Sequence, residues 1–206
     1  MQELADILYD LINQISADIW LIKYIVAITW AFNLINWSIG SIFLIFGLWP
    51  RKLWGLTGVL FSPILHGNFN HLFFNTIPFV ALGIMMLSFG AANFIILSSL
   101  ISITENLIVW LIGRNSIHIG ASGLVSGYFG FLLGFAYANP SIISFAVIFI
   151  LIYYFGAILA GLLPLEEQSS WESHLAGFLS GVLFSYLSLN SLQFNEWIEK
   201  LALYYF

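Results

Sequence analysis

The chain has 206 residues, of which 61% are hydrophobic and 7% are charged, with a formal net charge of -5 and a mean hydropathy of +0.97. Soluble globular domains contain about 25% charged residues, so this composition excludes that class and predicts an integral membrane protein. The small, scattered charge predicts no nucleic-acid partner, and the absence of cysteine excludes disulfides, thiolate nucleophiles and cysteine-ligated metals.

Long uncharged stretches of the chain predict six membrane-spanning helices in one domain. A span needs roughly 20 apolar residues, and breakers such as Gly90, Asn139-Pro140 and Pro164 lie between the candidate segments. Six spans leave no room for a second folded domain in a chain of this length. The predicted spans, in chain order, cover residues 19–38, 68–88, 92–112, 121–138, 141–163 and 172–192.

Three further segments accompany these spans, which form a membrane domain at 19–192. Residues 1–18 place apolar side chains at helical spacing between acidic ones, which predicts an amphipathic surface helix packed against the bundle. The connection 39–67 is apolar and tryptophan-rich, so we expect it to lie in the membrane interface. Residues 193–206 are predicted to be a C-terminal tail.

Polar side chains fall near the starts of the second, fourth and sixth spans, at His71, Ser122 and His174. Because these spans cross the membrane in the same direction, the three residues lie at one face, where water can enter. An imidazole within about 3 Å of a serine hydroxyl can take its proton, so the placement indicates serine hydrolase chemistry. No aspartate follows Asp18, which leaves a Ser-His dyad as the only catalytic pair of this kind.

Glycine and asparagine complete the pattern. Glycines recur every three or four residues after Ser122, and Gly177 and Gly181 form a GxxxG pattern, so the fourth and sixth spans are predicted to pack closely. Such glycines also serve ordinary helix packing, and neither motif decides the function alone. Asn75 lies one turn after His71, and both could donate to an oxyanion together with the Ser122 N–H.

These motifs resemble those of the rhomboid intramembrane serine proteases, over roughly residues 50–190. The segment from His66 to Asn75 resembles the family's histidine and asparagine helix. Gly120-Ala-Ser-Gly123 resembles its GxSG motif, and the segment from His174 to Gly181 its HxxGxxxG motif. The order and spacing of the three motifs make the resemblance specific.

The resemblance implies an all-α, six-transmembrane-helix rhomboid-like bundle that cleaves peptide bonds in or near transmembrane segments through an acyl-enzyme. It implies Ser122 as nucleophile, His174 as general base, and an oxyanion hole of His71, Asn75 and Ser122. No metal or cofactor is expected. Supporting positions are expected at His66, Gly120, Gly123, Gly177 and Gly181.

The resemblance also implies a location and partners. We expect a prokaryotic plasma (inner) membrane, both termini in the cytoplasm, an active site open to the outside, transmembrane protein substrates and contact with the lipid bilayer. The few cations do not fix the orientation, and the sequence leaves the oligomeric state open.

Five residues carry separate expectations. Ser126 stands where many rhomboids have an aromatic residue beside the catalytic histidine, and Tyr128 is expected on another face. His118 is expected to be solvated, and Glu105 to be an uncharged group bonded within the bundle. Helical spacing points Glu172 away from His174.

Three alternatives remain open. A catalytically inactive rhomboid-like protein would use the same bundle to bind client transmembrane helices. A metal site would need His66, His71 and His174 together, but a five-residue spacing puts the first two about 140° apart on a helix. A transporter should show internal repeats, and none is visible.

Overall fold

The computed structural model describes residues 2–163 and 170–205 of the protein. Within these ranges the chain is helical and has no strand, and Leu48 and His118 form one isolated antiparallel bridge. The predicted all-α fold is therefore confirmed. In chain order the α-helices are α1 (Gln2–Ser38), α2 (Gly58–Phe61), α3 (Phe69–Leu87), α4 (Ala91–Ile112), α5 (Ser122–Ala138), α6 (Ile142–Phe155), α7 (Ala157–Ala160), α8 (Trp171–Asn190) and α9 (Leu192–Tyr205), and two short 3-10 helices cover Ile42–Phe46 and Leu53–Thr57.

Each predicted span corresponds to a helix, but the helices differ in length. Within the described residues, α1 from Ile12 onward, α3 and α4 are long and apolar enough to cross a membrane. The helices α8 and α9 meet the same criterion only as a pair, with a 98° bend between them. The helices α5 and α6 are shorter, with 17 and 14 residues. Because α5 packs against α3, α4, α6 and α8, protein surrounds it and it need not match the lipid thickness alone.

Three predicted boundaries differ from the structure. The helix expected at residues 1–18 is continuous with the first span as α1, since no glycine or proline interrupts residues 2–38. The fifth predicted span is divided at Gly156, between α6 and α7. The predicted C-terminal tail contains α9, whose Ile198 is buried and whose Phe194 ring stacks on Phe184 of α8.

The centre of the bundle is α5. Tyr128 on this helix is fully buried, and its ring contacts Phe79 of α3 and Phe94 of α4. Its hydroxyl is 2.7 Å from the Ser98 hydroxyl on α4. Tyr128 therefore faces α3 and α4.

Glycines bring α5 and α8 into main-chain contact. A Cβ atom at Gly177 would overlap the carbonyl group of Gly123, and one at Gly181 would overlap that of Gly127. Helices approach this closely only where side chains are absent. The predicted close packing of these two helices is confirmed, and it sets the separation of the elements that carry Ser122 and His174.

Candidate active site

The segment before Ser122 rests on the first turn of α3. Gly120 has a φ of 108°, and a Cβ atom there would lie 2.6 Å from His71 Nε2 and 3.7 Å from Asn75 Nδ2. The Gly120 N–H donates to the Ser62 carbonyl at 2.8 Å. A glycine is therefore required at position 120, both for its backbone conformation and for the space that His71 occupies.

Ser122 is the first residue of α5, and His174 lies in the first turn of α8. The contact between Gly123 and Gly177 lies one residue after Ser122 and about one turn after His174, so the two side chains share one level of the bundle. Among the described residues, neither Ser122 Oγ nor His174 Nε2 has a hydrogen-bond partner. The expected bond between them is thus not formed in this state, as is common in enzymes without substrate.

The other ring nitrogen of His174 is engaged by the main chain. Its Nδ1 atom is 2.9 Å from the Gly161 carbonyl oxygen. A carbonyl only accepts hydrogen bonds, so Nδ1 carries the proton and Nε2 keeps its lone pair. Gly161 also packs on the ring, since a Cβ atom there would lie 2.6 Å from Nδ1. The main chain of Gly161 thus lies beside His174, and sequence reasoning missed this residue because no motif marks a main-chain carbonyl.

His71 and Asn75 lie one turn apart on α3, next to Gly120. Asn68 caps this helix, and its side chain accepts a hydrogen bond from the His71 N–H at 2.9 Å. Asn75 Nδ2 donates to the His71 carbonyl at 2.9 Å, which uses one of its two amide hydrogens. Gly120 joins this helix to the segment before Ser122, and the contact between Gly123 and Gly177 joins Ser122 to the helix of His174. The three predicted motifs therefore meet in space.

His66 precedes α3 and is 1% exposed. Its Nδ1 is 3.1 Å from the Ile64 carbonyl, its N–H donates to Asn33 Oδ1, and its ring centroid is 5.0 Å from that of His71. Burial, together with the neighbouring His71, lowers the pKa of His66 to about 4. His66 is therefore a neutral group that packs behind His71.

A helical angle of about 140° between His66 and His71 was the sequence argument against a metal site. This angle does not apply, because His66 lies outside α3, which begins at Phe69. Within the described ranges, no group of three or more histidine, aspartate or glutamate side chains could hold a metal ion.

Two polar residues near the site differ from expectation. His118, expected to be solvated, is 3% exposed and its ring contacts Ser170 and the Arg114 carbonyl. Glu105 is 4% exposed, and its carboxyl group lies against Gly123, where a Cβ atom would overlap it. Within the described part of the chain, Glu105 makes no hydrogen bond, contrary to the expected bonding inside the bundle. The Glu105 carboxyl group thus requires a glycine at position 123, whereas Gly123 contacts α8 through its carbonyl group.

The Glu172 side chain points away from His174, as its helical spacing predicted. It pairs with Arg114, at 2.6 Å between Oε1 and Nε, and not with His174.

The family is decided by comparison with known proteins. Residues 50–191 match the model of the rhomboid domain. The chain belongs to the rhomboid family. This rhomboid is therefore a polytopic integral membrane protein, and the matched region contains the GxSG and HxxGxxxG motifs together with their structural neighbours.

Relatives of this rhomboid occur in mycobacteria. Uncharacterized proteins of Mycobacterium tuberculosis and Mycobacterium bovis are each 37% identical to it over 171 residues, which is 79% of this chain and 71% of theirs. An uncharacterized protein of Mycobacterium leprae is 36% identical over 147 residues, or 66% of this chain and 56% of its own.

Proposed function

We propose that this rhomboid is an intramembrane serine endopeptidase that cleaves peptide bonds in or near the transmembrane segments of membrane proteins. The observation that carries the proposal is the hydrogen bond between His174 and the Gly161 carbonyl. It holds the proton on Nδ1 and leaves Nε2 as a base, and Nε2 is the atom that must face a nucleophile at the same level on α5.

In the proposed reaction, Ser122 Oγ attacks the carbonyl carbon of the scissile bond while its proton moves to His174 Nε2. The negative charge that develops on the carbonyl oxygen is stabilised by donors from His71, Asn75 and the Ser122 N–H at the start of α5. His174 then gives the proton to the leaving amine, and an acyl-enzyme on Ser122 remains. Water then attacks this ester as Nε2 takes its proton, and Nε2 returns the proton to Ser122 Oγ when the C–Oγ bond breaks and the second product leaves.

The proposal includes location. An even number of spans places both ends of the membrane domain on one side of the membrane, and we assign the termini to the cytoplasm and the site to the outside of a prokaryotic plasma membrane. The substrates are then transmembrane proteins that enter from the lipid bilayer.

The experiment is labelling of detergent-purified protein with a fluorophosphonate probe, which reacts with an activated serine. We expect wild type to label and Ser122→Ala and His174→Ala to remain unlabelled. Ser126→Ala is the matched control, because this buried serine lies one turn further along α5 and should label at the wild-type rate. A folded wild type that does not label would overturn the proposal and favour an inactive protein that binds client helices.

Cleavage is then tested directly. A reporter protein with one transmembrane segment is incubated separately with wild type and with Ser122→Ala, and the masses of the products are measured by mass spectrometry. Product masses that place the cut in or near the segment, with no cut by Ser122→Ala, are the expected result. Equal cleavage by both proteins would exclude Ser122 as the nucleophile.

A further inference from the structure

The segment that leads to Ser122 has little regular structure, and His174 lies close to the start of its helix. The segment 113–121 between α4 and α5 is not helical, and α8 begins only three residues before His174. Backbone groups at helix ends lack intrahelical partners, so additional contacts must hold both ends in place. The glycine contacts between α5 and α8 all lie after Ser122 and His174 in the two helices. They do not account for what holds the residues before Ser122 and His174 in place.

An ion pair joins segment 113–121 to the first turn of α8. Glu172 Oε1 accepts from Arg114 Nε at 2.6 Å and from the Arg114 main-chain N–H at 3.2 Å. The Glu172 side chain is 3% exposed, whereas that of Arg114 is 43% exposed. Removing the Arg114 side chain would leave the buried Glu172 carboxylate without its counter-charge. Because one donor is a main-chain group, this pair fixes the backbone of the segment relative to α8.

His118 makes a second connection, four residues closer to Ser122. Its Nε2 donates to the Arg114 carbonyl at 3.2 Å, and its Nδ1 is 2.6 Å from Oγ of Ser170, the N-cap residue of α8. The His118 main chain pairs with Leu48 through two hydrogen bonds of 2.9 and 3.0 Å. The imidazole therefore links segment 113–121 to α8, while its backbone fixes the same segment to the chain before α2.

We propose that Arg114, His118 and Glu172 are positioning residues that hold Ser122 within reach of His174. This inference rests on the proposed protease activity. The contacts of these three residues connect α8 to segment 113–121 before His174. The contact between Gly123 and Gly177 connects α8 to α5 after His174. A misplacement of about 1 Å can cost about 100-fold in rate, so a dyad without a third side chain depends strongly on such contacts.

The test measures both the rate and the final extent of fluorophosphonate labelling. We expect Arg114→Ala and Glu172→Ala each to label about 10- to 100-fold more slowly than wild type, but to the same final stoichiometry. The double variant should be no slower than Glu172→Ala, because Glu172→Ala already removes both hydrogen bonds between the two residues. Glu172→Gln should label close to the wild-type rate, since its amide oxygen still accepts both Arg114 donors. A role in folding alone would lower the final stoichiometry and leave the rate unchanged.

Arg51 provides the matched control. Its side chain binds the C-terminal end of α4, with Nη1 donating to the Gly113 carbonyl at 2.8 Å and to the Leu111 carbonyl at 3.3 Å, and neither bond joins that end to α8. We expect Arg51→Ala to label at the wild-type rate. Wild-type rates in Arg114→Ala and Glu172→Ala, or a slowing in Arg51→Ala equal to theirs, would overturn the inference. An unlabelled wild type would instead overturn the proposed function and the inference with it.

Discussion

The carbonyl oxygen of Gly161 lies 2.9 Å from Nδ1 of His174. In serine hydrolases with a triad, an aspartate at this position orients the imidazole and fixes its tautomer. A main-chain carbonyl fixes the same tautomer but carries no formal charge, so it stabilises a positively charged imidazolium less. The catalytic pair that we propose would therefore rely on orientation more than on charge.

We predict that Gly161→Ala impairs catalysis with little loss of stability. The new methyl group would lie 2.6 Å from His174 Nδ1 and 3.2 Å from Cε1, so the ring must turn away from its hydrogen bond. We expect labelling and cleavage to slow by about 10- to 100-fold. Gly67→Ala is the control, because its nearest neighbour would be Ile119 Cδ1 at 3.7 Å. Equal labelling rates in the two variants would show that Gly161 does not orient the base.

Asn75→Ala should lower kcat and leave KM nearly unchanged. Asn75 Nδ2 lies beside Gly120 and has one amide hydrogen beyond the one given to the His71 carbonyl. Loss of one oxyanion donor typically costs about 100- to 1,000-fold in kcat, measured here on a reporter substrate. Asn68→Ala, which removes the cap of the same helix, should instead cost about 1 kcal/mol of stability. A raised KM with unchanged kcat for Asn75→Ala would assign that side chain to substrate binding.

Gly181→Ala should destabilise the bundle itself. Its methyl group would overlap the Gly127 carbonyl oxygen and lie 2.7 Å from the Phe131 nitrogen, and main-chain atoms on α5 cannot move aside as a side chain can. We expect a loss of about 1 to 3 kcal/mol, seen as a lower unfolding temperature in detergent. At Gly83→Ala the nearest atom is Ile22 Cδ1 at 3.3 Å, the tip of a flexible side chain, so that variant should unfold near the wild-type temperature. The opposite order would mean that the α5–α8 contact does not limit stability.

Sequence patterns predicted the parts of this molecule that depend on local chemistry. Uncharged stretches located the helices, and glycine spacing predicted the contact between α5 and α8, because small residues at helical intervals have few other uses in membrane helices. The spacing of His71, Ser122 and His174 predicted that the motifs meet. Their catalytic roles stay predictions.

Contacts between distant segments could not be predicted in this way. The sequence places His118 in a loop and predicts that it is solvated. Its hydrogen bonds to Ser170 and to the Arg114 carbonyl are visible only in the folded structure. Gly161 acts through a carbonyl group that every residue possesses, so its identity carries no signal. The continuity of α1 was missed because acidic residues suggested a surface segment, whereas the absence of breakers decides the backbone.

The stability of this rhomboid should fall as the pH drops from about 6.5 to about 4, and His66 should account for part of that fall. The pKa of His66 is lowered from 6.5 to about 4 in the folded protein. Between these values the unfolded chain takes up a proton that the folded protein does not, so the free energy of unfolding decreases as the pH decreases. Across the whole interval His66 contributes up to about 3 kcal/mol to the free energy of unfolding.

His66→Asn keeps a side-chain N–H for the Ile64 carbonyl but does not titrate, so it serves as the comparison. We expect the difference in unfolding temperature between pH 7.5 and pH 5 to be larger in wild type than in His66→Asn. Equal differences would mean that His66 takes up its proton as readily in the folded protein as in the unfolded chain.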